Sequence, residues 1–164
     1  MKNELKCRMS VITILIIALL YFYPKYDILV EYITQSVVFL YSLYFKIEPV
    51  YYGNTIFLNF DTIILLTVSP ECSGLIVIFI FLFVVWMIPK VSIQHRLIGS
   101  LLIIVILLGN VFRLFIDILV GNTFNVDILR IYHSTISQLF ILVILCGCFI
   151  IFMKISKSEQ LVNK

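Results

Sequence analysis

Three residues far apart in the chain, Cys72, Arg113 and His133, carry side chains that together suit acyl transfer. A cysteine attacks a carbonyl as its thiolate, a histidine moves the protons, and a cation steadies the charge that develops. Cys72 stands in Pro70-Glu71-Cys72-Ser73-Gly74, a small, polar stretch that opens an apolar run. The partial positive charge of a helix N-terminus favours a thiolate there, and backbone N–H groups with small side chains leave room for a substrate carbonyl. Glu71, Ser73 and Gly74 are therefore read as supporting residues. Cys7, Cys146 and Cys148 read as inert: no two cysteines have the spacing of a zinc site or of a Cys-x-x-Cys pair, and Cys146 and Cys148 fall within one apolar run.

These residues need a frame, and composition says what kind. Of 164 residues, 62% are hydrophobic and 13% charged, with a mean hydropathy of +1.14. A water-soluble domain of this length cannot hide so much apolar surface. The chain reads as a single membrane-embedded domain, residues 1–164. Its fold class is all-α and polytopic, with about four transmembrane helices, an outer amphipathic helix and a short β-hairpin before the cysteine. The spans are predicted at about 9–23, 74–93, 97–120 and 133–153, with an outer segment 24–73 and a cytoplasmic tail 154–164.

The first run, Met9 to Tyr23, follows Lys2, Lys6 and Arg8, but Tyr21, Phe22, Tyr23 and Pro24 stand where a signal peptide has its small-residue cleavage site. It is expected to be an uncleaved span. Pro89 interrupts the second, where a kinked helix can continue to Ile93. Segment 28–45 is apolar but carries Glu31, Gln35 and Ser42 on one helical face, so it either lies along the interface or crosses. Lying flat, it leaves Lys2, Lys6, Arg8, Lys90, Arg96, Lys154, Lys157 and Lys164 on one side, and Lys25, Lys46 and Arg130 on the other. That obeys the positive-inside rule with both termini cytoplasmic. Between this segment and Cys72, Gly53-Asn54 is a turn signal flanked by β-branched and aromatic residues, and another β-prone run spans Thr62 to Val68.

This topology brings the three reactive residues to one depth. Arg113 lies about 24 Å from Leu97 along a helix, near the far edge of a ~30 Å hydrocarbon core. Cys72 precedes the second span and His133 opens the fourth, both at the outer face. His95 falls in the cytoplasmic Lys90–Arg96 loop, which leaves His133 as the base. At a helix N-terminus its imidazole is biased toward the neutral, proton-accepting form, and Arg113 near a helix C-terminus is favoured as a cation. Tyr132, Ser134 and Arg130 are candidate neighbours to orient His133. Asp117, one turn beyond Arg113, is its nearest partner for a structural ion pair. Asn110, three residues before Arg113, shares its face and supports either Arg113 or substrate.

With these residues in place, the chain resembles the archaeosortase/exosortase family of membrane-embedded cysteine transpeptidases. The resemblance rests on Glu71-Cys72-Ser73-Gly74-Leu75, Asn110-Val111-Phe112-Arg113 and His133 in that order, and extends over roughly Ile28 to Met153. The chain is far shorter than typical exosortases, and Ile76 stands where many members carry a basic residue. The resemblance implies cleavage of the C-terminal sorting helix of a secreted protein through a thioester on Cys72. The acyl group then passes to a lipid or other cell-surface acceptor, with His133 handling protons and Arg113 stabilising the oxyanion or thiolate. The alternative is a non-catalytic membrane scaffold or assembly subunit, with Arg113 and Asp117 paired and Cys72 incidental. No glycine-rich phosphate loop, metal-ligand cluster or basic nucleic-acid face occurs in the sequence. Neither cofactor, metal nor nucleic-acid partner is expected.

Overall fold

The structure, a computed structural model, describes residues 2–22, 26–59, 63–89, 91–124 and 126–162. Helix α1 spans Lys2–Phe22 and α2 Tyr26–Phe45. A three-stranded antiparallel meander follows, β1 Val50–Tyr52, β2 Thr55–Asn59 and β3 Ile63–Thr67, in the order β1-β2-β3. Helices α3 Leu75–Met87, α4 Ile93–Ser100, α5 Ile103–Thr123, α6 Val126–Ile131 and α7 Ser137–Val162 complete the chain. The fold is mostly helical and the sheet small, as the composition requires. Of the two expected forms, hairpin or meander, the segment adopts the meander, because the β-prone run after Asp61 pairs with β2, Thr67 facing Thr55 and Ile63 facing Asn59.

Three helical stretches have the length and hydropathy to cross a membrane: Asp27–Phe45, Ile93–Thr123 and Asp127–Lys157. This is a multi-pass membrane architecture. Asp27–Phe45 is the segment expected as an outer amphipathic helix, whereas Met9–Ala18 and Leu75–Met87, within the first and second expected spans, are shorter apolar helices. The expected boundaries move in three places. The second predicted span, 74–93, stops as a helix at Met87, and Ile88 is extended, as the residue before a proline prefers. The third begins earlier, at Ile93, because Ser92 caps α4 and the helical conformations of Leu101 and Leu102 carry α4 into α5. The fourth, predicted to open at His133, begins at Val126 and runs through a five-residue π turn, Tyr132–Ile136, into α7.

Two apolar clusters hold these elements. In the first, Val30, Ile33, Val37 and Tyr41 of α2 meet Ile56 and Leu58 of β2, Val68, Leu129 of α6, and Leu114, Phe115 and Ile118 of α5. The inward residues of α2 recur at helical spacing, while Glu31 and Gln35 face outward. The second joins Ile78, Phe81, Val85 and Trp86 of α3 to Ile106 of α5 and Ile141, Cys148 and Phe152 of α7. α5 belongs to both clusters and is the central post of the fold. Gly109 faces α7, where Cδ1 of Ile144 occupies the space a Cβ would take.

Arg96 explains why α3 can end inside an apolar molecule. Only 1% exposed, its guanidinium donates to the carbonyls of Val85, Trp86, Ile88 and Val91. These are groups a helix end leaves without partners. Substituting Arg96→Met should lower unfolding stability by about 3 kcal/mol, because buried carbonyls lose a charged donor. The checks are a thermal melt in detergent, which should shift down, and alkylation of Cys72, which should not change.

Candidate active site

Cys72 lies in a single 3₁₀ turn, Pro70–Ser73, that leads into α3. Pro70 suits the first position of such a turn, having no N–H to leave unsatisfied. Gly74 follows in the left-handed conformation, φ 74°, which a side chain rarely adopts. A Cβ on Gly74 would also stand 3.1 Å from Cγ of Asn110. Buried Ser73 serves the turn, its hydroxyl donating to Pro70 O at 2.6 Å and accepting from Leu75 N–H at 3.3 Å.

Asn110, Arg113 and Asp117 form a buried polar stripe on α5 at spacings of three and seven, respectively 1%, 6% and 0% exposed. Two of them hold the cysteine turn: Asn110 Nδ2 donates to the Cys72 carbonyl at 2.8 Å and Arg113 Nη2 donates to the same oxygen at 3.3 Å. The third holds the histidine. His133 Nδ1 lies 2.8 Å from Asp117 Oδ2, and the Ser137 hydroxyl donates to that oxygen at 3.1 Å.

The carboxylate can only accept, so Nδ1 carries the proton and Nε2 is left to face the thiol. Nε2 lies 3.5 Å from Cys72 Sγ, and the Ser69 hydroxyl donates to the same sulfur at 3.3 Å. The imidazole beside it draws the Cys72 thiol down from about 9 to about 7, against the opposing effect of burial and with help from the Ser69 hydroxyl. A half-buried thiol titrating near neutrality is a thiolate for much of the time at physiological pH, and the thiolate is the nucleophile.

All three predicted catalytic residues meet here, but two of them sit elsewhere on their helices than expected. Arg113 is not near a helix C-terminus, since α5 continues to Thr123, and it makes no ion pair with Asp117, the closer contact of that carboxylate being His133. Nor is His133 at a helix N-terminus; it lies in the π turn of a helix that begins at Val126. Its orientation comes from Asp117 rather than from Tyr132, Ser134 or Arg130. The π turn inserts a residue into the helical register, and across it both His133 and Ser137 reach one carboxylate oxygen.

Asp117, Ser137 and Ser69 were missed as site residues. An ionisable side chain in an apolar helix is a signal for Asp117, but its partner 16 positions away is not a local feature. His95 is hydrogen bonded to Ser92 Oγ at 2.8 Å and lines neither cavity that reaches Cys72. Cys146 is exposed and Cys148 buried, both remote from these hydrogen bonds; the side chain of Cys7 lies outside the described residues.

A groove of about 660 Å³ opens on the pair. Glu71, Cys72, Gly74, Asn110, Arg113 and His133 form its polar end, and Ile80, Ile141, Leu142 and Leu145 of α3 and α7 its apolar continuation. Three buried polar atoms at the site have no protein hydrogen-bond partner: Asn110 Oδ1, Arg113 Nε and Asp117 Oδ1. Among the described residues no cluster of three His, Cys, Asp or Glu side chains has metal-binding geometry.

No family model, curated protein or solved structure matches the chain. The site therefore stands on its own geometry: a membrane-spanning helical protein with a cysteine–histidine pair backed by a buried carboxylate. Alkylation of Cys72 by iodoacetamide should rise with pH through a midpoint near 7, because the thiolate grows as its proton leaves. His133→Ala removes the largest cause of the depression and should carry the midpoint up toward the ordinary thiol range. Mass spectrometry of the Cys72 peptide across a pH series reads both.

Proposed function

We propose that the protein is a membrane-embedded cysteine peptidase and transpeptidase of the archaeosortase/exosortase type, cleaving the C-terminal sorting signal of exported proteins at the outer face of the cell membrane. The observation that carries this reading is the continuous chain of contacts Cys72–His133–Asp117. A nucleophile, a base within hydrogen-bond reach and a third group orienting the base are the elements of covalent acyl transfer. The order of Cys, Arg and His residues in the sequence supports the same class independently. A scaffold reading draws on an Arg113–Asp117 pair, and Asp117 is instead turned to His133.

In this mechanism the Cys72 thiol passes its proton to His133 Nε2, and the thiolate attacks the scissile carbonyl, forming a C–S bond and moving an electron pair onto the oxygen. Arg113, at the wall of the groove, supplies positive charge close to that oxyanion. Collapse of the tetrahedral intermediate breaks the C–N bond while the imidazolium gives its Nε2 proton to the departing amine, leaving a thioester on Cys72. An acceptor nucleophile, an amine or a lipid hydroxyl, then attacks the thioester. Its proton passes to Nε2, and the thiolate leaves. Asp117 stays ionised throughout and holds the ring through Nδ1. The apolar continuation of the groove between α3 and α7 suits the hydrophobic helix of a sorting signal.

Cys72→Ala should leave the precursor of a sorted protein uncleaved in cells, and unchanged processing would sink the mechanism. Asp117→Asn, similar in size but without the negative charge, should slow processing by at least about 10²-fold, the usual worth of general acid–base catalysis. Pulse-chase labelling of the precursor measures both rates.

A further inference from the structure

A second cavity, of about 240 Å³, reaches Cys72 and His133 from the side of the sheet. Leu65, Leu66, Thr67 and Val68 line it together with Leu114, Leu129 and Arg130. Side chains of a strand alternate between its faces, so four consecutive residues wall one cavity when it runs along the strand's edge. β3 is the last strand of its sheet, and among the described residues that edge carries no partner strand.

Register identifies the groups at the edge. Val68 N–H donates to Asn54 O at 2.8 Å, extending the register in which Thr67 faces Thr55 and Leu66 faces Ile56. Hydrogen-bonded and non-hydrogen-bonded pairs alternate in an antiparallel ladder. Val68 and Leu66 therefore turn their N–H and C=O groups toward β2, and Leu65 and Thr67 turn theirs toward the cavity.

We propose that this edge is the docking strand for the acyl half of the substrate: an extended peptide segment adds to β3 as a fourth strand and delivers its last carbonyl to Cys72. The inference rests on the reading of Cys72 as a peptide-cleaving nucleophile. Alternating backbone donors and acceptors beside apolar Leu114 and Leu129 select an occupant that offers both at strand spacing, which a peptide does and an acyl chain does not. Direction follows from connectivity. β3 runs toward Cys72, so a segment parallel to it carries its C-terminal carbonyl to the sulfur. The amine half then leaves by the other cavity, between α3 and α7. Cys72 and His133 line both cavities, as a scissile bond spanning the two requires.

The test uses the full chain in detergent and a randomised tetrapeptide library ending in a vinyl sulfone, which alkylates the thiolate without presupposing a side-chain preference. Mass spectrometry follows modification of Cys72. The library should react about 10-fold faster than a single-residue vinyl sulfone, since main-chain hydrogen bonds supply the affinity in strand addition. N-methylation of the peptide backbone should abolish the gain. Thr67→Pro deletes one outward N–H where an edge strand tolerates proline, and should reduce the gain several-fold; iodoacetamide labelling of Cys72 checks that the variant is folded. Equal rates for the plain and N-methylated libraries on the wild-type chain would overturn the docking strand while leaving the nucleophile intact. A Cys72 that titrates like an ordinary thiol would instead remove the reading beneath it, and the proposal with it.

Discussion

A carboxylate buried in the middle of an apolar helix is the constraint on which the rest of the structure turns. Asp117 is fully buried on α5, and an ionised carboxylate without partners in such surroundings costs several kcal/mol. The neighbouring cation on its own helix makes no ion pair with it, Arg113 turning one Nη to the Cys72 carbonyl instead. Relief comes from His133 and Ser137 across the α5–α7 interface. That requirement fixes the register of α7 against α5 and gives the π turn a purpose.

The same helix sets the nucleophile. Asn110 and Arg113 hold the carbonyl of Cys72, and Asp117, about 6 Å further along the axis from Arg113, holds the base. Nucleophile and base come from different parts of the chain, yet both are referred to one rigid face of α5. The geometry is thus set by three side chains whose mutual distances a helix cannot alter. It needs no flexible loop to bring Cys72 and His133 together.

Much of this was legible in the sequence because it depends on residue type and coarse depth. A cysteine in a small, polar turn, an arginine in an apolar run and a histidine at the start of another are readable from residue type and spacing. Asp117 was visible but assigned to Arg113, since a partner one turn away is the nearest intrahelical choice and nothing local announces a histidine 16 residues on. The end of the second span was misread for a related reason. Pro89 alone is compatible with a kink, and the buried guanidinium of Arg96 that satisfies the carbonyls at the end of α3 is a tertiary feature. His133 was placed at a helix start because the apolar run begins there, whereas the helix begins with the more polar turn at Val126.

The small sheet is best understood through its attachment to the same post. Ile56, Leu58 and Val68 share an apolar cluster with Leu114, Phe115 and Ile118 of α5, so the far end of the helix that holds the base also holds the strands. Only Val68 and Ser69 separate β3 from the turn containing Cys72. Displacing β3 would therefore drag both the nucleophile and the hydroxyl of Ser69, which donates to its sulfur. A meander of three short strands is marginal alone, and here α2 and α5 supply the packing it lacks. The result is a strand edge, a thiol and a base held in one frame, with an apolar groove on one side of the reacting pair and a polar backbone edge on the other. In the proposed reaction the acyl half stays at the strand edge as a thioester, while the acceptor enters by the groove that the amine half has left.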